Sequence, residues 1–358
     1  MRARKRKTVI YQRGRYEMAV TLQQIADEVG VSRGTVDRAL NNRGRINSEV
    51  ADRIKRIAEE MGYRPNRAGR ALAMAKYSIS IGVVVQAADT PFMKILIAGV
   101  MEAKAEVERF GATVIIKKIP DVDLEKAIEA VRELEKEGCN GIAVVPVDDE
   151  SFKNVINELV DKNIPVVTFN SDIEGSRRMC FVGQDTFQSG KVAAGLMAEI
   201  IRPEGIIQVI SGYPSNQAHK NRTRGFIGEL TKNRKDIQIL DVQYAFDDDK
   251  VAEKITEEIL KEHGNLSGIY LTASGAEGVC RALRKRDCIG RVKVISNDLT
   301  PVNMEELKSG SIQFLVGQNA HAQGYDPLML LFDKLFDGKE PENEYLYTEI
   351  VIKTKYNY

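Results

Sequence analysis

The chain is 358 residues long and 43% apolar, enough for two or three domains and a sizeable core. Its formal net charge of +1 hides an uneven distribution: residues 1–76 hold 18 Lys and Arg against 8 Asp and Glu, residues 77–358 hold 34 against 43. A basic head on an acidic body is the footprint of a nucleic-acid module joined to something else. The bland alternative, a solvated basic tail, is disfavoured by the ordered helical pattern inside the basic segment. No apolar run reaches the ~18 residues of a membrane span, and no apolar core follows the basic start as in a secretory signal. The four cysteines show no CxxC pair and no metal-ligand spacing with the three histidines. The expectation is a cytoplasmic protein with reduced thiols, no membrane contact, no metal and no cofactor.

Residues 1–17 form a basic arm without periodicity, carrying Arg2, Arg4, Lys5, Arg6, Lys7, Arg13 and Arg15. Two readings stand: a start-site artefact with Met18 as the natural start, which is preferred, or an arm adding phosphate contacts. From Leu22 the pattern is helical, with Leu22, Ile25, Ala26 and Val29 on one face. Gly30 breaks that helix and Ser32 is an N-cap for the next, whose buried face is Val36, Ala39 and Leu40. The outward face of this second helix carries Arg33, Gly34, Asp37, Arg38 and Asn41. Two helices joined by so tight a turn, the second presenting Arg and Asn, suit a major groove and its base edges. Asn47 or Ser48 caps a third helix with Val50, Ile54, Ile57, Ala58 and Met61 on its apolar face, ended by Gly62. The segment Tyr63–Ala73 then reads as a conditional short helix, opened by Pro65 and weakened by Gly69.

Beyond Ser78 strands and helices alternate. Strands are expected at 79–85, 113–116, 141–145, 164–169, 206–210, 237–242, 268–272, 292–296, 312–317 and about 347–354. Helices are expected at 98–109, 123–137, 150–162, 187–201, 220–232, 249–262, 275–286, 301–309 and 321–336. Such alternation means parallel sheets covered by helices on both faces, and the count suits two similar lobes. Ligands in these folds sit beyond the carboxyl ends of the strands.

Thr21-Leu-Gln-Gln-Ile-Ala26, Gly30-Val-Ser32, Thr35-Val36, Arg38, Asn41 and Gly62-Tyr-Arg-Pro-Asn-Arg-Ala-Gly-Arg-Ala-Leu-Ala73 closely resemble the DNA-binding head of LacI/GalR-family transcription regulators. Residues 78–358 resemble that family's sensor, a periplasmic-binding-protein fold most similar to ribose-type sugar receptors. The implied fold class is a small all-α helix-turn-helix head and hinge helix, followed by a two-lobed α/β domain of two doubly wound parallel sheets. The implied limits are the head at 18–62, the hinge at 63–76, one lobe at 77–185 with 319–345, and the other at 186–318 with 346–358.

The resemblance also implies roles. Arg33 and Gly34 fall on the base-reading pair, and Arg38 on a further groove contact able to pair with guanine. Thr35 belongs to the same reading helix, and Thr21, Ser32 and Asn41 fall on phosphate-contacting or capping positions. Asn66 and Gly69 lie in the hinge, and Leu72 falls on the leucine that wedges into the minor groove and kinks the duplex. Gly34 has no side chain to read a base, and Asp37 puts a negative charge on the DNA-facing helix. In the sensor, Asp89, Thr90 and Phe92 correspond to a sugar-clamping loop. Asn170 and Ser171 stand where ribose-type receptors carry Asp-Arg, and Arg222 matches a sugar-binding arginine. Ser274 stands beside Ala273 where Asn-Asp is usual, and Asp298 and Gln318 match well. A carboxylate and a guanidinium can pair with vicinal hydroxyls while Phe92 covers an apolar ring face.

The expected protein is a homodimeric regulator, a repressor, that binds near-palindromic double-stranded operator DNA under control of a sugar or polyol between its lobes. The effector could release or strengthen DNA binding. An enzyme is disfavoured because no GxGxxG follows the first strand and no GK[ST] loop, GxSxG or HExxH occurs. A transport receptor is disfavoured by the head, and control by a protein corepressor stays open.

Overall fold

The computed structural model describes residues 20–40, 46–61, 63 and 79–358. The basic arm, most of the hinge, and Asn41, Asn66, Gly69 and Leu72 lie outside the described residues. The chain divides into two compact units, Met1–Ala73 and Met74–Tyr358.

The first unit contains α1 (Leu22–Val29), α2 (Arg33–Leu40) and α3 (Ser48–Glu60). Each start is chemically specified. Thr21 and Gln24 form a reciprocal capping box: the Thr21 hydroxyl accepts from Gln24 N at 3.3 Å and Gln24 Oε1 accepts from Thr21 N at 2.8 Å. Ser32 Oγ accepts from Thr35 N at 3.2 Å and opens α2. Of the two expected caps for α3, Asn47 is the one that forms, its Oδ1 accepting from Glu49 N and Val50 N. Gly30 ends α1 in the left-handed region, φ 77°. The apolar faces meet in one core of Ile25, Ala26, Val29, Val36, Ala39, Ile54 and Ala58.

The second unit runs β1 (Ser80–Val85), α4 (Pro91–Glu108), β2 (Thr113–Lys118), α5 (Leu124–Lys136), β3 (Gly141–Val144), α6 (Glu150–Asp161), β4 (Val166–Phe169), β5 (Cys180–Gln184), α7 (Thr186–Ile200) and β6 (Ile206–Ser211). It continues α8 (Gln217–Asn233), β7 (Gln238–Ile239), β8 (Gln243–Tyr244), α9 (Asp249–Glu262), β9 (Leu266–Leu271), α10 (Ala276–Lys285), β10 (Lys293–Asn297), α11 (Pro301–Lys308), β11 (Phe314–Gly317), α12 (Ala320–Asp337), β12 (Tyr345–Thr348) and β13 (Val351–Lys353). The strands form two sheets, ordered β2-β1-β3-β4-β5-β12 and β7-β6-β9-β10-β11-β13, with β8 also beside β6. The orders correspond strand for strand, so the lobes repeat one plan, and every pairing is parallel except β11 with β13.

Two departures from the sequence reading matter. The fully buried β5 was not expected, since no element was read between 169 and 187. Arg178, just before it, is buried, chelated by Asp172 through Nε and NH2 at 2.6 Å each and bonded to Glu344 at 3.0 Å. The single last strand expected near 347–354 is two strands. β12 pairs with β5 in the first sheet and β13 with β11 in the second. The last crossing therefore lies between Thr348 and Val351, and residues 346–348 belong to the first lobe rather than the second. Across the second lobe α7 and α8 cross so closely that a Cβ on Gly190 would stand 2.1 Å from Arg222 O, and one on Gly225 2.1 Å from Phe187 O. Glycines here are what bring the backbone of Arg222 to its place.

Candidate functional site

The chain leaving β1, β3, β4, β6, β8, β9, β10 and β11 lines a cavity between the two lobes, with about 670 Å³ of empty space, its open mouth included. That size suits a small organic ligand. Four lining residues that are not glycine hold the left-handed backbone region: Ala87 (φ 49°), Asn170 (62°), Asp247 (60°) and Asp298 (72°). Backbone strain of this kind costs about 1–3 kcal/mol per residue and concentrates where a group must be aimed.

The floor is a buried polar cluster. Arg222, 3% exposed, donates through NH1 to Thr272 O at 2.9 Å and through NH2 to Gln184 Oε1 at 3.4 Å. Its NH2 lies 3.9 Å from Asp298 Oδ1, and its Nε is buried with no hydrogen-bond partner. Asp298 Oδ1 accepts from Gln318 Nε2 at 2.7 Å. Gln318 Oε1 accepts from Gln323 Nε2 at 2.7 Å, and Gln323 Oε1 accepts from Asn170 Nδ2 at 3.5 Å. One chain of side-chain hydrogen bonds thus runs from the second lobe through a crossing segment into the first. Burial raises the Asp298 carboxyl above the usual carboxylate range, against the lowering effect of Arg222 and Gln318.

Thr90 caps α4, its hydroxyl accepting from Met93 N at 3.4 Å, and with Pro91 at the first helical position it turns Phe92 onto the cavity wall. The structure thus brings Thr90, Phe92, Asn170, Arg222, Ser274, Asp298 and Gln318 together. It leaves two predicted residues aside. Asp89 is exposed and does not line the cavity. Ser171 is buried, its hydroxyl without a partner, and lines a neighbouring cavity beside Tyr345 and Tyr347.

Gln86, Asp247 and His219 also line the cavity and were not expected from the sequence. Gln86 ends the apolar run of β1; its Nε2 donates to Val145 O at 2.9 Å and its Oε1 accepts from Asp123 N at 2.9 Å. Asp247 follows β8 and accepts from Ser274 N at 3.1 Å. His219 lies in the first turn of α8 with its Nδ1 accepting from Tyr213 N at 3.0 Å. Burial lowers its pKa and keeps the ring neutral. At the rim Lys220 of the second lobe meets Asp148 of the first at 2.5 Å.

In the head, Arg33, Gly34 and Arg38 are exposed on α2, and Arg38 Nε donates to Gly34 O at 3.1 Å. Thr21 and Ser32 both serve as caps, and Thr35 bonds Ser32. Among the described residues no helix is long and apolar enough to cross a membrane, and no three His, Cys, Asp or Glu cluster as a metal site.

Residues 21–66 match the profile of the bacterial regulatory proteins of the lacI family, and residues 81–340 match that of the periplasmic binding protein domain. The chain belongs to the lacI family of regulators. Its larger unit is a periplasmic-binding-protein domain. Among relatives of this lacI-family protein, a probable HTH-type transcriptional repressor ExuR of Bacillus subtilis is 28% identical over 218 residues, covering 60% of this chain and 61% of its own length. The ribose operon repressor of Halalkalibacterium halodurans is 22% identical over 82% of both chains. A sugar ABC transporter sugar-binding protein from Bacillus halodurans superposes with a TM-score of 0.69 at 26% identity, over 78% of this chain and 100% of its own.

Proposed function

We propose that this lacI-family chain is a cytoplasmic transcriptional repressor, a homodimer on near-palindromic operator DNA, controlled by a sugar, polyol or cyclitol held between its lobes. The observation that carries the ligand half is the buried Arg222–Asp298–Gln318 cluster. It sets a guanidinium and a carboxylate, neither fully satisfied, side by side at the floor of an open cleft. A vicinal diol meets both demands, accepting from the arginine while donating to the aspartate, and Phe92 offers an apolar face to a ring.

The exposed face of α2 carries the DNA half. Arg33 and Arg38 would read base edges, with Gly34 permitting close approach of the backbone. Thr35 and Asn41 would border that surface while Thr21 and Ser32 fix the helix ends next to phosphates. Asn66, Gly69 and Leu72 would order on DNA as a hinge, Leu72 supplying the wedge and the bend. A ligand that changes the angle between the lobes would change the spacing of two hinges in a dimer and so the cost of forming both.

The test is thermal unfolding of the full chain against a panel of pentoses, hexoses, polyols and cyclitols. A true ligand at a hundred times its Kd stabilises by about 2.7 kcal/mol, a readily measured rise in Tm. A flat response across the panel removes the sugar and polyol class from the proposal.

A further inference from the structure

The charge inside the cleft narrows the ligand class further, an inference that rests on the polyol reading above. Four lining side chains can carry charge: Arg222, Asp298, Asp247 and His219. Burial holds His219 neutral, and the Tyr213 N–H on its Nδ1 leaves its one proton on Nε2. Arg222 and Asp298 lie side by side and offset each other. Asp247 is then left over, and its Oδ1 is fixed by the Ser274 N–H, which aims the carboxylate without neutralising it. The surroundings are acidic as well. The Tyr213 phenol, raised first by its burial, is raised further by the charges of Asp247, Asp121 and Asp248. The cation at the rim, Lys220, is paired with Asp148.

We propose that Asp247 makes this cleft selective by charge, so that it takes an uncharged polyol, one hydroxyl of which donates to Asp247, and rejects sugar acids and sugar phosphates of the same size. A neutral hydroxyl satisfies the carboxylate. A carboxylate or phosphate on the ligand puts like charge against it in a partly dry site, with only Arg222, already shared with Asp298, to compensate. Asp247 is thus a specificity residue separate from the Arg222–Asp298 pair.

The experiment uses the full chain and matched probes: D-galactose with D-galacturonate, D-glucose with D-glucuronate and glucose 6-phosphate, D-ribose with ribose 5-phosphate, and myo-inositol with its monophosphate. Thermal shift ranks them, and calorimetry measures each member that shifts. The expected result is that at least one neutral probe shifts Tm and its anionic partner binds at least tenfold more weakly or not at all. In Asp247→Asn, which keeps the oxygen that accepts from Ser274, that discrimination should shrink roughly tenfold. A direct comparison of ligand-free Tm values separates misfolding from altered selectivity, and Asp247→Ser serves as a second variant. An anionic probe that binds the parent more tightly than its neutral partner overturns the charge selectivity while leaving the polyol reading intact. Unchanged discrimination in both folded variants overturns the role of Asp247. Silence from every probe, neutral and anionic, overturns the polyol reading and the selectivity together.

Discussion

Replacing Asp298 with Asn separates the charge of the site from its shape. Asparagine tolerates the left-handed backbone at φ 72°, and its oxygen still accepts from Gln318 Nε2, now held at 2.7 Å by the carboxylate. What is lost is the charge facing the ligand. Hydrogen bonds to a charged group contribute about 1.5–3 kcal/mol and neutral ones about 0.5–1.5, a difference of about 1–1.5 kcal/mol for each bond. A diol donating two hydroxyls to the carboxylate should lose about 2–3 kcal/mol, which is roughly 30- to 150-fold in Kd. Calorimetric titration of parent and variant with the ligand found by the panel measures this directly. The same loss should appear in the parent on acidification. Burial raises the Asp298 pKa, so its proton returns at a higher pH than for an ordinary aspartate, and ligand affinity should fall as pH drops through that range. The variant should lack that component of the pH dependence. Equal Kd values for parent and variant, or identical pH profiles, would refute the assignment of Asp298 to the ligand.

Three further perturbations test separate links. Arg38→Ala should weaken operator binding by about 1–3 kcal/mol and relax the sequence preference, and a footprint identical to the parent's would rule out α2 as the reading helix. Gly190→Ala puts a methyl where Arg222 O stands 2.1 Å away, so α7 and α8 must move apart. Overpacking of this kind costs about 1–3 kcal/mol, to be read from denaturant unfolding, and ligand affinity should fall with the displacement of Arg222. Lys220→Ala removes an ion pair that bridges the lobes with both partners partly exposed. Its cost in stability should stay within about 1 kcal/mol, and small-angle scattering should show a more open ligand-free cleft. Scattering curves that superpose would deny the pair any role in closure.

How far the sequence could be read follows from how local each determinant is. The head was legible in detail because its signals are a few residues apart: the Thr21–Gln24 capping box, the Gly30 stop, the Ser32 cap and the apolar spacing from Leu22 to Val29. The strand–helix alternation gave two doubly wound lobes for the same reason. Strand β5 escaped notice because it is buried by its neighbours in the sheet, β4 on one side and β12, far along the chain, on the other. The last strand was drawn as one because only the pairing of Tyr345–Thr348 with β5, and of Val351–Lys353 with β11, shows that it changes sheets.

The cleft shows the same division. Arg222, Asp298 and Gln318 follow from the resemblance to ribose-type receptors. Gln86, His219 and Asp247 were missed because nothing adjacent in sequence marks them, and only the facing of two lobes brings them to one cavity. Asp89 shows how narrow the margin is: capping of α4 by Thr90 keeps Thr90 and Phe92 on the wall and leaves Asp89 in solvent. A neighbour one residue away was enough to misplace it.

On the proposed function, occupancy of the cleft changes operator binding. Fluorescence anisotropy of the full chain on an operator selected from random DNA, with and without saturating ligand, tests this most directly. Operator Kd should change at least about fivefold, in either direction, with the midpoint moved to higher ligand concentration in Asp298→Asn. A ligand that binds the cleft by calorimetry yet leaves operator Kd the same at saturation would contradict it.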